Sequence, residues 1–217
     1  MESSLRAELS HARRQTDLLF HLIAPETLYE RPVAERHRLI FYLGHFEAFD
    51  WNVLARRSKG ENAFHPVFDS LFERGIDPAP DQAPADTPGD WPHLEEVAAY
   101  NAKTRAWIDR HFAELQPALI QMAIEHRHMH AETFAYLLHN LPADKKRATM
   151  EPARNSCSTP ANPMVSIAAG AVTLGKSAED FAWDNEYLAH EVFVPAFRIS
   201  KLKISNGEYL EFVREGG

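Results

Sequence analysis

Between residues 3 and 23, Leu5, Leu9, Ala12, Thr16, Leu19 and Ile23 recur at spacings of three and four. This predicts a helix with one apolar face, ended by Pro25. A second helix is predicted over residues 32–57, with Pro32 in its first turn and the apolar run Leu39-Ile-Phe-Tyr-Leu-Gly-His-Phe at its centre. Apolar nearly all round, it belongs in the middle of its neighbours. Residues 93–115 and 117–140 are both amphipathic and are split by Pro117, which suits a turn or a first helical position.

Between the second and third helices, residues 58–92 carry Pro66, Pro78, Pro80, Pro84, Pro88 and Pro92, so no long helix crosses them. A loop of that length predicts a crossover connection, and the fold expected is mainly α, a four-helix bundle over residues 1–142. The texture then changes. Residues 143–163 are polar, with Lys145-Lys-Arg and three prolines, and read as a linker. Beyond them, Met164-Val-Ser-Ile-Ala-Ala-Gly-Ala-Val-Thr-Leu-Gly and His190-Glu-Val-Phe-Val-Pro-Ala-Phe-Arg-Ile alternate as strands do, and Ser205-Asn-Gly-Glu208 is the signature of a capped helix. Residues 164–217 are therefore expected to form a short α+β segment. It is too small to bury a core alone, so its apolar residues need cover from the bundle or from a second copy of the chain, as in a homodimer.

Composition narrows the function. The 217 residues carry a net charge of -8 and no basic stripe, which argues against a nucleic-acid partner. No apolar run reaches the roughly 18 residues a membrane span needs, and the N-terminus has no signal-peptide core, so a cytoplasmic protein is expected. Cys157 is the sole cysteine and reads as an incidental thiol in the linker. Twelve histidines raise the prospect of metal or proton chemistry.

That prospect is sharpest at Glu125-His126-Arg127-His128-Met129-His130-Ala131-Glu132. Residues four apart share one helical face, close enough for two imidazoles to hold one ion. The stripe Leu119, Met122, His126, His130, Thr133, Leu137 places both in the core, where their nitrogens need partners. His128 points elsewhere, and Glu132 does not share the face. His45, set between Phe41 and Phe49 in the most apolar helix, is the candidate third ligand. Three neutral imidazoles suit Zn, Fe, Ni or Cu and leave positions open for substrate. The bland alternative is a set of hydrogen-bonded core histidines. His11, His21, His37, His65, His93, His111 and His139 read as surface or helix-end residues.

Leu43-Gly44-His45 followed by His126-x-x-x-His130-x-Glu132 resembles the iron motif of the ergothioneine-type sulfoxide synthases. Those proteins join a DinB-type helical bundle to a formylglycine-generating-enzyme-like (sulfatase-modifying-factor) domain. Met164-Val-Ser-Ile-Ala-Ala-Gly, Phe181-Ala-Trp-Asp-Asn-Glu186 and Ile204-Ser-Asn-Gly-Glu-Tyr-Leu-Glu-Phe-Val resemble the opening of that second domain, here expected to be truncated. The resemblance implies a nonheme ferrous ion on His45, His126 and His130, with Zn2+ or Ni2+ as alternatives. It implies an O2-dependent oxidoreductase that joins a small-molecule thiol to a histidine derivative. Met129 departs from the pattern, since glutamine often stands there. Two other readings stand beside this one: a metal-dependent thiol transferase or hydrolase of the DinB type, and a non-catalytic metal-binding bundle.

Overall fold

The computed structural model describes residues 2–76, 84–147, 158–177 and 181–217. The chain divides into two compact units, residues 1–150 and 151–217. Cys157 and much of the expected linker lie outside the described residues.

The first unit is helical. Helix α1 spans Glu2–Phe20, and α2 spans Leu39–Asp50 and runs on as a wider, π-helical stretch over Trp51–Arg57. Helix α3 is Pro66–Arg74, α4 is Leu94–His111, and α5 is Pro117–Asn140. α1 packs along α5, while α2 packs against α3, α4 and α5. The expected face of α1 is the one it buries, with Leu9, Ala12 and Thr16 covered, and Ile23 beyond its end is covered too. α2 is buried nearly all round, as its composition predicts. One core cluster gathers Leu39, Ile40, Phe41, Phe72, Phe134 and Leu137; a second gathers Leu9, Leu54, Ile108, Ile120 and Ala123.

The structure moves three sequence-based boundaries. The second helix starts at Leu39, not Pro32, because Arg38 is extended at its N-cap (ψ 156°) and its guanidinium is spoken for elsewhere. Arg38 donates to Tyr29 O, Asp86 O and Asp86 Oδ2, and Asp86 also accepts from Arg31 and from Trp91 Nε1. This buried carboxylate ties the end of the crossover to the chain entering α2. The first helix ends at Phe20, and Ile23 instead pairs with Lys146. The crossover itself contains α3: Pro66 occupies its first turn, His65 caps it by accepting from Phe68 N, and Phe68 and Phe72 bury one face. A proline-dense segment excludes a long helix, yet nine residues fit between its prolines.

In the second unit, β2 (Gly170–Leu174) pairs antiparallel with β3 (His190–Val194), and β1 (Met164–Ile167) with β4 (Phe197–Ser200). One register runs through both ladders. Ile167 faces Phe197, and three residues on Gly170 faces Val194, with the break at Ala168-Ala169 and Pro195-Ala196. Pro195 has no N–H to donate there. Helix α6 (Asn206–Arg214) opens with the expected capping box: Glu208 N donates to Ser205 Oγ, and Ser205 N to the Glu208 carboxylate.

Candidate metal centre

α2 and α5 bring together the three histidines singled out in the sequence. His45 Nε2 lies 3.1 Å from His126 Nε2 and 3.1 Å from His130 Nε2, and one ligand nitrogen from each ring falls within 4.8 Å of the others. The four-residue spacing on α5 does this for His126 and His130, and the crossing of α2 supplies His45. Aromatic rings wall the cluster. Phe49 stacks on His126 at 3.6 Å between centroids, Phe41 stacks on His45 at 4.7 Å, and Phe46 and Tyr42 stand edge-on or tilted to His130.

Simple proton counting shows that protein groups alone leave this cluster unsatisfied. His45 Nδ1 lies 2.6 Å from the carbonyl oxygen of Phe72, so it must carry the proton, and in the neutral ring Nε2 is then a lone pair. That lone pair faces two further Nε2 atoms, and one lone pair cannot serve two donors well. The Nδ1 atoms of His126 and His130 are buried without a hydrogen-bond partner. A cation at the centre would take all three Nε2 lone pairs. Metal–nitrogen bonds of about 2.0–2.1 Å, set at octahedral or tetrahedral angles, place ligand nitrogens about 2.8–3.4 Å apart. The two separations from His45, 3.1 Å each, lie inside that span, and all three ligand nitrogens lie within 4.8 Å of one another, so the residues fit a metal ion.

Burial also keeps these rings neutral, the form that binds metal. It pushes His45 down to about 4, with His37 adding to the effect while the Phe72 hydrogen bond opposes it. His130 is likewise lowered to about 4 by burial and by the neighbouring His45. His126 is lowered further still, by burial first and then by His45 and His130. The unfolded chain therefore takes up protons below the ordinary histidine value of 6.5, whereas the folded chain does not until about 4. Metal-free protein should lose stability as the pH falls from 6.5 to 4, and calorimetry across that window checks it. A flat profile there would mean the rings are not buried as described.

The other sequence expectations divide. His128 is exposed and away from the cluster, as its angular position implies, and Glu132 is exposed. His65 and His93 cap helices, and His111 ends α4. The buried arc of α5 is displaced by about one residue from the predicted stripe. Ile120, Ala123, Ile124, Arg127, Phe134 and Leu137 are buried, whereas Leu119, Met122 and Thr133 are only half covered. His126 is buried with that arc, at 4% exposure, whereas His130 lies at its edge and is partly exposed. Met129 is 51% exposed.

Sequence reasoning missed the groups beside the cluster. Arg127 is fully buried and its Nη2 donates to Glu47 Oε2 at 2.7 Å and Asp50 Oδ2 at 2.6 Å, both on α2. Arg105 on α4 bridges Glu47 to Asp17 on α1. Burial works to raise Glu47, but Arg127, Arg105 and Arg13 together hold it down at about 2. Two acids, Glu47 and Asp50, in the most apolar helix were the available signal: buried carboxylates need a cation.

Fold and site thus define a helical protein with a metal-sized cluster of three imidazoles, followed by a small β-ribbon. Residues 148–217 match the sulfatase-modifying factor enzyme 1-like domain. The chain is 28% identical over 223 residues to ergothioneine biosynthesis protein 1 of Neurospora crassa, covering 89% of this chain and 25% of that protein. Its likeness to the Schizosaccharomyces pombe protein of the same name is 26% over 239 residues, covering 89% and 30%. It is 32% identical over 98 residues to hercynine oxygenase of Mycolicibacterium smegmatis, covering 44% and 23%. The resemblance read from the motifs is matched by these comparisons: the chain is similar to ergothioneine biosynthesis proteins and to a hercynine oxygenase. It spans between a quarter and a third of the two fungal relatives. No helix among the described residues is long and apolar enough to cross a membrane.

Proposed function

We propose that the first unit is a DinB-type four-helix bundle whose His45, His126 and His130 hold a ferrous ion, and that the protein is an O2-dependent oxidoreductase joining a thiol to a histidine derivative. One observation carries the reading: His45 Nε2 lies 3.1 Å from both His126 Nε2 and His130 Nε2, with all three ligand nitrogens within 4.8 Å, in a chain similar to ergothioneine biosynthesis proteins and hercynine oxygenases. When bound, the ion would supply oxygen activation and a coordination position for the thiolate. The protein's part follows from its residues. Three neutral imidazoles would leave coordination positions open for substrate. Phe41, Phe46 and Phe49 keep bulk water from the ligand rings, and the partly exposed side at His130 would be where substrates approach. Exposed Met129 stands where relatives often carry glutamine, so recognition of the histidine derivative would differ here. A second copy of the chain would cover exposed apolar side chains of the ribbon such as Ile199 and Phe193.

The test is to load metal-free protein with ferrous iron under nitrogen, then admit oxygen with hercynine and cysteine. Oxygen uptake coupled to a carbon–sulfur product supports the reading. Turnover of a thiol or an ester by zinc-loaded protein, with no oxygen-dependent product from iron, would replace it with the transferase or hydrolase alternative.

A further inference from the structure

Among the three clustered rings, His45 alone has its second nitrogen engaged by a protein group in the described structure. The partner is the main-chain carbonyl of Phe72, in the last turn of α3. We propose that this carbonyl is a positioning group that fixes His45 in the Nδ1–H tautomer and aims its Nε2 at the centre, and that Gly44 is what lets α3 approach closely enough to do so. The proposal rests on reading the cluster as a metal centre, and its test separates the two.

The local chemistry supplies the group. The last carbonyls of any helix have no partner within it. α3 ends at Gly75, whose φ of +83° suits glycine and whose N–H donates to Leu71 O. Phe72 O is left over, and it points across to α2. It also lies at the negative end of the helix dipole, which favours a ring that gives up electron density to a cation. Phe41, stacked at 4.7 Å, holds the plane of the His45 ring. One nitrogen is therefore tied to backbone and the other is left facing His126 and His130.

Gly44 makes this possible. A methyl group there would lie 2.5 Å from Cγ and Cε1 of the fully buried Phe72 ring, far inside contact distance. A side chain at 44 must push Phe72, and with it the carbonyl, away from α2. The Leu-Gly-His motif thus carries a steric reason for its glycine: the residue beside the ligand clears room for the group that orients the ligand. It follows that α3, an element hidden in a proline-rich crossover, belongs to the metal site although it contributes no ligand.

The test uses the full chain without metal, with nitrogen-15 NMR of the imidazoles reading the tautomer of His45, followed by cobalt titration against a chelator. The native protein should show Nδ1–H at His45. Gly44→Ala should show a mixture and bind cobalt about 10–100-fold more weakly, as loss of a group that orients a metal ligand does. Gly44→Ala combined with Phe72→Leu, which removes the ring that the new methyl meets, should recover both the tautomer and most of the affinity. If Gly44→Ala fails to fold, the double variant carries the same readout. An unchanged tautomer and affinity in folded Gly44→Ala, or a double variant that folds but stays mixed, would overturn the proposal. Native protein with His45 fixed but no cobalt binding would leave the positioning intact and sink the metal reading. Native protein that binds cobalt with a mixed tautomer would do the reverse.

Discussion

Replacing Arg127 with alanine is expected to lower the unfolding free energy by about 3–5 kcal/mol, the cost of leaving buried charge uncompensated. Arg127 is 0% exposed, and so is the carboxylate-bearing pair it serves, Glu47 and Asp50. Its removal would leave two carboxylates on one face of α2 with no direct ion-pair partner for Asp50 among the described contacts, since Arg105 reaches Glu47 alone and Arg13 acts only from a distance. For a unit of this size the melting temperature should drop by about 6–20 °C. The effect belongs to the broken network rather than to any large net contribution of the ion pairs. Replacing Arg127, Glu47 and Asp50 together by apolar residues of similar volume should recover most of the loss. Thermal melts of the single and triple variants check both parts. A single substitution costing under about 1 kcal/mol would mean the network is solvated.

The second large effect concerns the ligands. His126→Ala should abolish stoichiometric metal binding and remove the stability that binding confers. With metal at a hundredfold excess over its dissociation constant, that linkage is about 2.7 kcal/mol. His126 is the most buried of the three and has Phe49 flat against it, so its loss also opens space in the wall. Metal-free variant and metal-free native protein should therefore melt closer together than the two metal-treated samples do. A variant that retains one equivalent of metal would show that His126 is not a ligand.

How far the site could be read in advance depends on what each residue needed from its surroundings. His126 and His130 were legible because four-residue spacing on a helix fixes their common face whatever lies opposite. His45 was legible because a polar ring in the apolar centre of α2 demanded a partner. Arg127 was not, since an arginine between two histidines looks like the solvated flank of a stripe, and only a one-residue displacement of the buried arc turns it inward. Glu47 and Asp50 lie in the same helix as His45 and pose the same demand. α3 was hidden by its prolines, which forbid a long helix but frame a short one. The ladder of the second unit was legible as alternating strands, but its single register through two interruptions depends on pairing across the chain, which no local pattern encodes. His45's tautomer depended on a main-chain carbonyl and so left no mark in residue identity beyond Gly44.

The central claim is that His45, His126 and His130 hold one metal ion, and metal analysis of protein purified without an affinity tag tests it most directly. The account predicts one equivalent per chain, iron when the protein is prepared without oxygen, with X-ray absorption showing about three imidazole nitrogens near 2.0–2.1 Å. Protein that carries no metal and takes up none from a stoichiometric ferrous, zinc or nickel solution would contradict it.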